Sequence, residues 1–289
     1  MLVQWCRSSV AAVALACALG VTTSALAEGV DLVPAAPERL AIGGELGYFT
    51  DDQAASTIHV IAPRLAAHYA IDERWSIAGD FGMVFLAQHP DEGTGEELGV
   101  RPGNPTAFLL LRGFLGRAHY HVGIGGAAPL AVIDRDGSGR VHRSAYNHAQ
   151  ALSGLWDPWV WAPSRGAAIA YGRLEYDLDP EARLEVELAP ALLIPAREAY
   201  LRDSVEAILP TAIDLSTDKG PVRVGLRFQA VFMPADDPDA LQLSLHPHVR
   251  VTIDQSFIEA RYTANLDEPL AGERGPRIWG LHLAAGGAL

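Results

Sequence analysis

The chain has 289 residues, of which 49% are hydrophobic and 20% charged, and its formal net charge is −13. This acidic balance argues against a protein that follows the phosphates of DNA or RNA, so no nucleic-acid partner is expected. With 28 glycines and 19 prolines, the chain is too rich in turn residues for a helical bundle and too apolar for a disordered acidic tail.

The amino terminus has the features of a secretory signal peptide. Arg7 precedes an apolar run that ends at Val21, and Ala25-Leu26-Ala27 supplies the small residues of a cleavage site. We therefore predict export, with residues 1–27 removed as a signal peptide. Both cysteines of the chain lie in this segment, which excludes disulfides, thiolate catalysis and cysteine-bound zinc in the mature protein.

From Leu40 onward, segment after segment alternates apolar and mixed residues with a period of two, which is typical of β-strands. The clearest case is 241–253, where Leu, Val and Ile fall on one side and Gln, Ser, His, Arg and Thr on the other. The pattern predicts twelve strands. Their expected ranges are 40–49, 61–71, 75–86, 106–116, 119–132, 167–178, 182–194, 205–215, 222–232, 241–253, 257–266 and 278–289.

The connections between these strands alternate between short and long along the whole chain. A soluble sandwich has no reason to keep such a rule, whereas an outer-membrane barrel has tight periplasmic turns and long outward loops. An even number of strands places both termini on the periplasmic side. Pro190 and Pro247 are awkward inside paired strands, and we expect them at bulges. The predicted division is a short segment 28–39 followed by a barrel 40–289.

On these features, the chain resembles the transmembrane β-barrel proteins of Gram-negative outer membranes in general, over about residues 40–289. Its last strand, 278–289, alternates to the end and is similar to the signal read by the barrel-insertion machinery, although it ends on Leu289 and not on an aromatic residue. The resemblance implies an all-β, up-and-down transmembrane barrel of about 12 strands in the cell outer membrane. Its expected partners are the outer-membrane lipid and, for assembly, the barrel-insertion machinery.

The strand registers predict an inward face that carries charges of both signs. The residues expected to line a pore are Arg64, Asp80, Arg112, Arg173, Glu175, Asp177, Arg183, Glu185, Glu187, Arg223, Arg227, His246, His248, Arg250, Glu259 and Arg261. One interpretation is a narrow passive pore for small polar solutes, with an acidic wall at 175–187 facing an arginine wall at 223–261. The alternative is a structural barrel whose lumen is filled by salt bridges and which transports nothing.

The longest loop, about 133–166, holds two further candidates. Asp134, Asp136 and Ser138 are spaced like the start of a calcium loop, but Ala145 stands where such a loop needs Glu, so a metal site is not expected. Three indoles follow, at Trp156, Trp159 and Trp161. They either constrict the barrel mouth, dip into the outer leaflet or form an exposed ligand-binding patch.

A third functional class is a lipid-modifying outer-membrane enzyme. Such enzymes use Ser and His with an orienting polar partner, and Ser144 lies close to His142 and His148 in the long loop. No Gly-x-Ser-x-Gly element occurs, and a catalytic triad cannot be inferred from two common loop residues. We predict that the protein is not an enzyme and uses no cofactor.

Overall fold

The computed structural model describes residues 40–53, 56–90, 97–133, 139–196, 204–234, 240–267 and 279–288. Within these ranges the chain forms one antiparallel sheet that closes on itself, because its first and last strands pair with each other. The strands are β1 (Leu40–Gln53), β2 (Ser56–Ala70), β3 (Trp75–Pro90), β4 (Glu97–Pro102), β5 (Thr106–Leu115), β6 (Ala118–Ala127), β7 (Arg165–Asp177), β8 (Ala182–Leu188), β9 (Ala191–Pro195), β10 (Glu206–Lys219), β11 (Val222–Phe232), β12 (Leu241–Ile253), β13 (Ser256–Asn265) and β14 (Trp279–Ala288).

These strand segments make twelve crossings of a closed barrel, which confirms the sequence prediction. β4 and β5 both pair with β3 and form one interrupted crossing. β8 and β9 both lie between β7 and β10 and form another. The break between β8 and β9 falls at Ala189-Pro190, but the register with β7 and with β10 is the same on both sides of it, so Pro190 interrupts the strand without the expected bulge.

The prediction for Pro247 is wrong. It lies within β12 opposite Leu226, and the pairing of β12 with β13 has the same register on both sides of the proline. No extra residue is inserted, so there is no bulge. The proline is tolerated because a strand residue in an antiparallel ladder directs its N–H to only one neighbour.

The two ends of the barrel differ, as the alternation of connections predicts. Turns of two to four residues join strands at one end, here called the short-turn end, where β1 begins and β14 ends. At the opposite, long-loop end β1, β2 and β3 are longer than expected, whereas β6 ends at Ala127 and not at residue 132 as expected. The segment 50–60, predicted as a loop, is a hairpin of β1 and β2, and the predicted loop 87–105 contains the end of β3 and all of β4.

Two helices, α1 (Gly139–Leu152) and α2 (Pro158–Trp161), lie in the connection between β6 and β7. No helix among the described residues is long and apolar enough to cross a membrane. α1 contacts β1, β2, β3, β4 and β14. Because these strands surround one interior, the connection folds into the barrel. We call residues 139–164 the plug.

Candidate functional site

The plug packs against an apolar part of the inner wall near the long-loop end. On β2, the side chains of Ile58 and Val60 are buried and face the interior. Their chain neighbours Thr57 and His59 are partly exposed. This arrangement reverses the pattern of the rest of the barrel, where apolar residues point outward. The buried cluster formed with the plug includes Phe49, Val84, Leu86, Tyr146, Ala149, Leu152, Trp156, Trp159, Val160 and Trp161.

All three indoles predicted in the long loop are buried inside the barrel. Trp161 is only 2% exposed, and its ring lies against Gly82 on β3. Trp156 lies under the guanidinium of Arg227, whose Cζ atom is 4.3 Å from the ring centroid. Of the three interpretations open from the sequence, this geometry corresponds to the indoles packing back into the barrel.

The end of α1 is capped by side chains of the barrel wall. The last carbonyl groups of a helix have no partner within the helix and need one when they are buried. Here Asn265, His282 and Gln229 contact the carbonyl oxygens of residues 151–154, at 3.2, 2.9 and 3.0 Å. These three side chains come from β13, β14 and β11, so the plug and the wall complete each other's hydrogen bonds.

An ion pair also joins the plug to β2 of the wall. Asp157 is the only acidic residue of the plug, and its carboxylate pairs with the guanidinium of Arg64 on β2. Arg64 also pairs with Asp80 on β3 at 3.2 Å, and the Ser153 hydroxyl donates to Asp157 at 2.8 Å. Two carboxylates therefore share one buried arginine, and only one of them belongs to the plug.

Asn104, between β4 and β5, holds the end of the plug that leads into β7. Its amide Nδ2 donates to the carbonyl oxygens of Trp159, Ala162 and Arg165 at 2.8, 2.8 and 3.1 Å, and its Oδ1 accepts from the N–H of Ala131 at 2.7 Å. The side chain is fully buried. This residue is not among those predicted from the sequence. The Pro-Gly-Asn-Pro sequence around it indicates a turn, but not a partner.

Below the plug, toward the short-turn end, the wall carries a continuous ion-pair network. Arg173 on β7 contacts Glu175, Glu185 and Glu187 at 3.0, 2.6 and 3.8 Å. Arg227 on β11 contacts the same Glu187 at 2.6 Å. The network therefore links the neighbouring strands β7 and β8 and reaches β11, which only β10 separates from β8.

This placement corrects the expectation of an acidic wall facing an arginine wall. The arginines and carboxylates do not lie across the lumen from each other. Each predicted arginine of the second group has a carboxylate beside it along the wall: Arg223 has Asp218, Arg227 has Glu187, Arg250 has Glu259 and Arg261 has Glu45, at 2.8, 2.6, 2.8 and 2.7 Å. Fixed opposite charges this close cancel most of each other's field, so these four pairs contribute little to a field across the lumen.

The remaining predicted residues also face the interior. Arg183 contacts Glu175 and Asp177 at 3.4 and 3.3 Å near the short-turn end. Arg112 donates through Nε to the Glu73 carbonyl at 2.7 Å. A cavity of about 350 Å³ opens at this end and is lined by polar side chains that include Arg117, His119 and Asp218.

The histidines predicted on the inward face contact protein groups. His246 lies between the hydroxyls of Ser244 and Thr263, at 2.8 and 3.0 Å, and His248 lies 3.5 Å from Asp214. Among the residues that the structure describes, no three metal-ligating side chains come together. The weak calcium candidates Asp134, Asp136 and Ser138 lie outside the described residues.

The residues weighed for an enzyme lie in α1. Ser144 Oγ is 3.3 Å from His148 Nδ1, but that nitrogen is closer to the Ser144 carbonyl oxygen, at 2.7 Å. The His148 ring stacks on Phe49. His142 contacts Arg101 on β4. The geometry therefore gives His148 a role in helix packing and does not align it as a base toward the serine hydroxyl.

The outer surface of the barrel is apolar along the strands. Ile77, Leu109, Val186, Ile213 and Leu283, from five different strands, are each about 40–50% exposed. A band of this kind on a closed barrel with a polar interior is suited to a lipid environment. No protein-family model matches the sequence, and the comparison with curated proteins finds no similar one.

Solved structures decide the class of fold. The COG4313 outer membrane channel from Pseudomonas putida F1 matches with a TM-score of 0.58, covering 90% of this chain and 98% of that one at 11% identity. The NanC porin matches with a TM-score of 0.50, covering 86% and 100% at 8% identity. The chain has the fold of an outer-membrane β-barrel. In this barrel the lumen contains its own plug, built from the connection of β6 and β7.

Proposed function

We propose that this barrel is a passage for small polar solutes across the outer membrane, and that the plug closes it. The observation that carries the proposal is that a single tethered segment, the plug, packs inside the barrel, whereas the ion-pair network runs along the wall. The plug attaches to the wall through the Arg64–Asp157 ion pair and the capping contacts at residues 151–154. These contacts are made by side chains of the wall, so they can break while the strand pairing of the barrel stays intact.

Two further observations support it. Below the plug, the wall is lined by charged side chains, and a polar cavity of about 350 Å³ lies among the turns at the short-turn end. The two solved structures most useful for comparison are described as a channel and a porin. A polar interior next to a removable segment is the arrangement that a gated passage requires.

A crosslink between plug and wall gives the sharpest test. A Cβ atom on Gly154 would lie 3.0 Å from Cβ of Ser244 on β12, and Gly154 has a φ of +62°, so a disulfide between the two positions requires a backbone adjustment in the plug. Gly154→Cys with Ser244→Cys introduces the only thiols beyond residue 27. Planar-bilayer recording should show opening that is at least tenfold rarer in the oxidised form and returns on reduction. Each single variant is a matched control.

Two outcomes would overturn the proposal. One is wild-type protein that never conducts together with a variant lacking residues 134–163 that folds and never conducts either. The other is identical conductance of the oxidised and reduced double-cysteine variants. In the first case the barrel is closed whether or not the plug is present.

The second candidate function is a structural barrel without transport. It is favoured by one observation, the close pairing of Arg173 and Arg227 with Glu185 and Glu187, which are all less than 10% exposed. A network of this kind along the wall makes the barrel rigid and requires no path for solutes. The deletion of residues 134–163 separates the two functions, because only a passage begins to conduct when the plug is removed.

A further inference from the structure

The imidazole of His282 on β14 bridges the wall and the plug. Its Nδ1 contacts the Glu45 carboxylate on β1, and its Nε2 lies 2.9 Å from the carbonyl oxygen of Leu152, the last residue of α1. All of these groups are buried: His282 is 5% exposed, Glu45 6% and Leu152 1%. Of the three side chains that cap the end of α1, His282 is the one with an ionisable group.

The chemistry of the two partners determines which protons the ring must carry. A carboxylate and a backbone carbonyl can only accept hydrogen bonds, so both contacts require an N–H on the ring. A neutral imidazole has one N–H and the imidazolium has two. Both contacts therefore exist together only when His282 is protonated. A cation is also favoured at this position, because the carbonyl end of a helix carries a partial negative charge.

The surrounding groups define what happens when the proton leaves. Arg261 on β13 pairs with Glu45 at 2.7 Å, and Arg64 on β2 contributes positive charge near the same carboxylate. His246 on β12 is linked through the Thr263 hydroxyl, which lies 3.3 Å from His282 Nε2. On α1, the group that contacts His282 is the backbone carbonyl of Leu152.

We propose that His282 is a pH-dependent latch that holds the plug. The imidazolium binds Glu45 of the wall and the Leu152 carbonyl of the plug. After loss of the proton, Nε2 accepts from the Thr263 hydroxyl, and the Leu152 carbonyl is left buried without its donor. Loss of the ring proton as the pH rises therefore loosens the plug. The proposal rests on the proposed function, because it names the regulation of the same closure.

The plug position can be measured independently of conductance. With Trp75→Phe and Trp279→Phe, the tryptophans left beyond residue 27 are the three of the plug. Acrylamide quenching of their fluorescence should rise between pH 5 and pH 9, with the released fraction increasing about tenfold or more, as loss of a charge-assisted hydrogen bond implies. His282→Gln, whose amide can donate to Leu152 but does not titrate, should give a flat profile.

His119→Gln is the matched control, because this histidine packs against Phe114 at the short-turn end, away from the plug. It should keep the wild-type profile. An unchanged pH profile in His282→Gln would overturn the latch. If that variant fails to fold, ¹⁵N spectra of the wild-type ring decide: both nitrogens protonated at pH 6 supports the latch, and a neutral tautomer overturns it.

Recording conductance at the same pH values keeps the two proposals apart. If quenching depends on pH through His282 while no condition produces conductance, the latch stands and the proposed passage fails. If the barrel conducts and its opening is the same from pH 5 to pH 9, the passage stands and the latch fails.

Discussion

The indole of Trp161 occupies the space that a side chain on Gly82 would need. A Cβ atom at this position of β3 would lie 2.5 Å from Cη2 of the indole and 3.1 Å from Cγ of Arg64. The wall is therefore shaped for the plug at this point: a glycine in the strand leaves the room that a plug tryptophan fills.

Gly82→Ala should displace Trp161 and loosen the plug without opening the barrel. The methyl group overlaps the ring, and overpacking of this kind costs about 1–3 kcal/mol. Increased tryptophan quenching by acrylamide measures the effect. Gly172→Ala is the matched control, because a Cβ atom there meets nothing within 4 Å. Equal quenching in the two variants would contradict the fit between Gly82 and the indole.

Asp157→Asn should release the plug from β2 while leaving the Arg64–Asp80 pair in place. The amide keeps the shape but loses the charge, and a hydrogen bond between buried charged groups contributes about 2 kcal/mol. Amide hydrogen exchange in α1 should accelerate roughly 30-fold. Asp218→Asn removes a comparable charge from the pair with Arg223 at the short-turn end and should leave exchange in α1 unchanged. Unaltered exchange in Asp157→Asn would show that the ion pair does not hold the plug.

Two adjacent residues of β12 should lose different amounts of stability when each is replaced by arginine. Val249 is 43% exposed on the outer face, and His248 points inward near Asp214. Val249→Arg should lower the free energy of unfolding by about 2–4 kcal/mol if β12 is centred in the bilayer, as arginine does on the lipid face of other barrels. His248→Arg should cost much less, since Asp214 offers a counter-charge. Urea unfolding in lipid vesicles compares them, and equal costs would mean that the faces are misassigned.

The turn between β2 and β3 provides a pH-dependent contribution to stability. Asp72 accepts from the N–H groups of Trp75 and Arg74, both at 2.7 Å, and these bonds lower the pKa of its carboxyl group. The ionised Asp72 carboxylate therefore adds to the free energy of unfolding at pH values above its unfolded-state pKa of about 3.9. This stabilisation is lost as the pH falls through the lower pKa of the folded state.

Asp72→Ala should consequently destabilise the barrel at pH 7, and its difference from wild type should disappear near pH 2. Denaturant unfolding at the two pH values tests this. Glu73→Ala in the same turn is the control, because the turn amides bond to Asp72. A deficit in Asp72→Ala that is the same at both pH values would contradict the role of the ionised carboxylate.

The barrel itself could be predicted from the sequence because apolar-out, polar-in alternation survives wherever a strand separates lipid from the lumen. This alternation does not continue to the long-loop end. There Ile58 and Val60 face the plug and Thr57 and His59 face outward, so the alternation is inverted. The segment 50–60 was therefore predicted as a loop, although it forms a hairpin.

The contacts of the plug are the part that the sequence could not show. Arg64 and Asp157 are 93 residues apart, and nothing local to either residue identifies the other. The inward direction of the charged residues follows from strand parity, but their pairing depends on which strands become neighbours. Glu187 and Arg227 meet because both reach past β10, a distance set by the closed sheet and not by the chain.

The plug is bonded to β6 at one end and to β7 at the other, so it behaves as a ligand that never leaves its receptor. Its return to Arg64 is a first-order process, independent of the amount of protein in the membrane. Short tethers hold such groups at an effective concentration of roughly millimolar. A free solute that competes for the same arginine must reach a comparable concentration, or bind more tightly than Asp157 does, before it can hold the plug displaced.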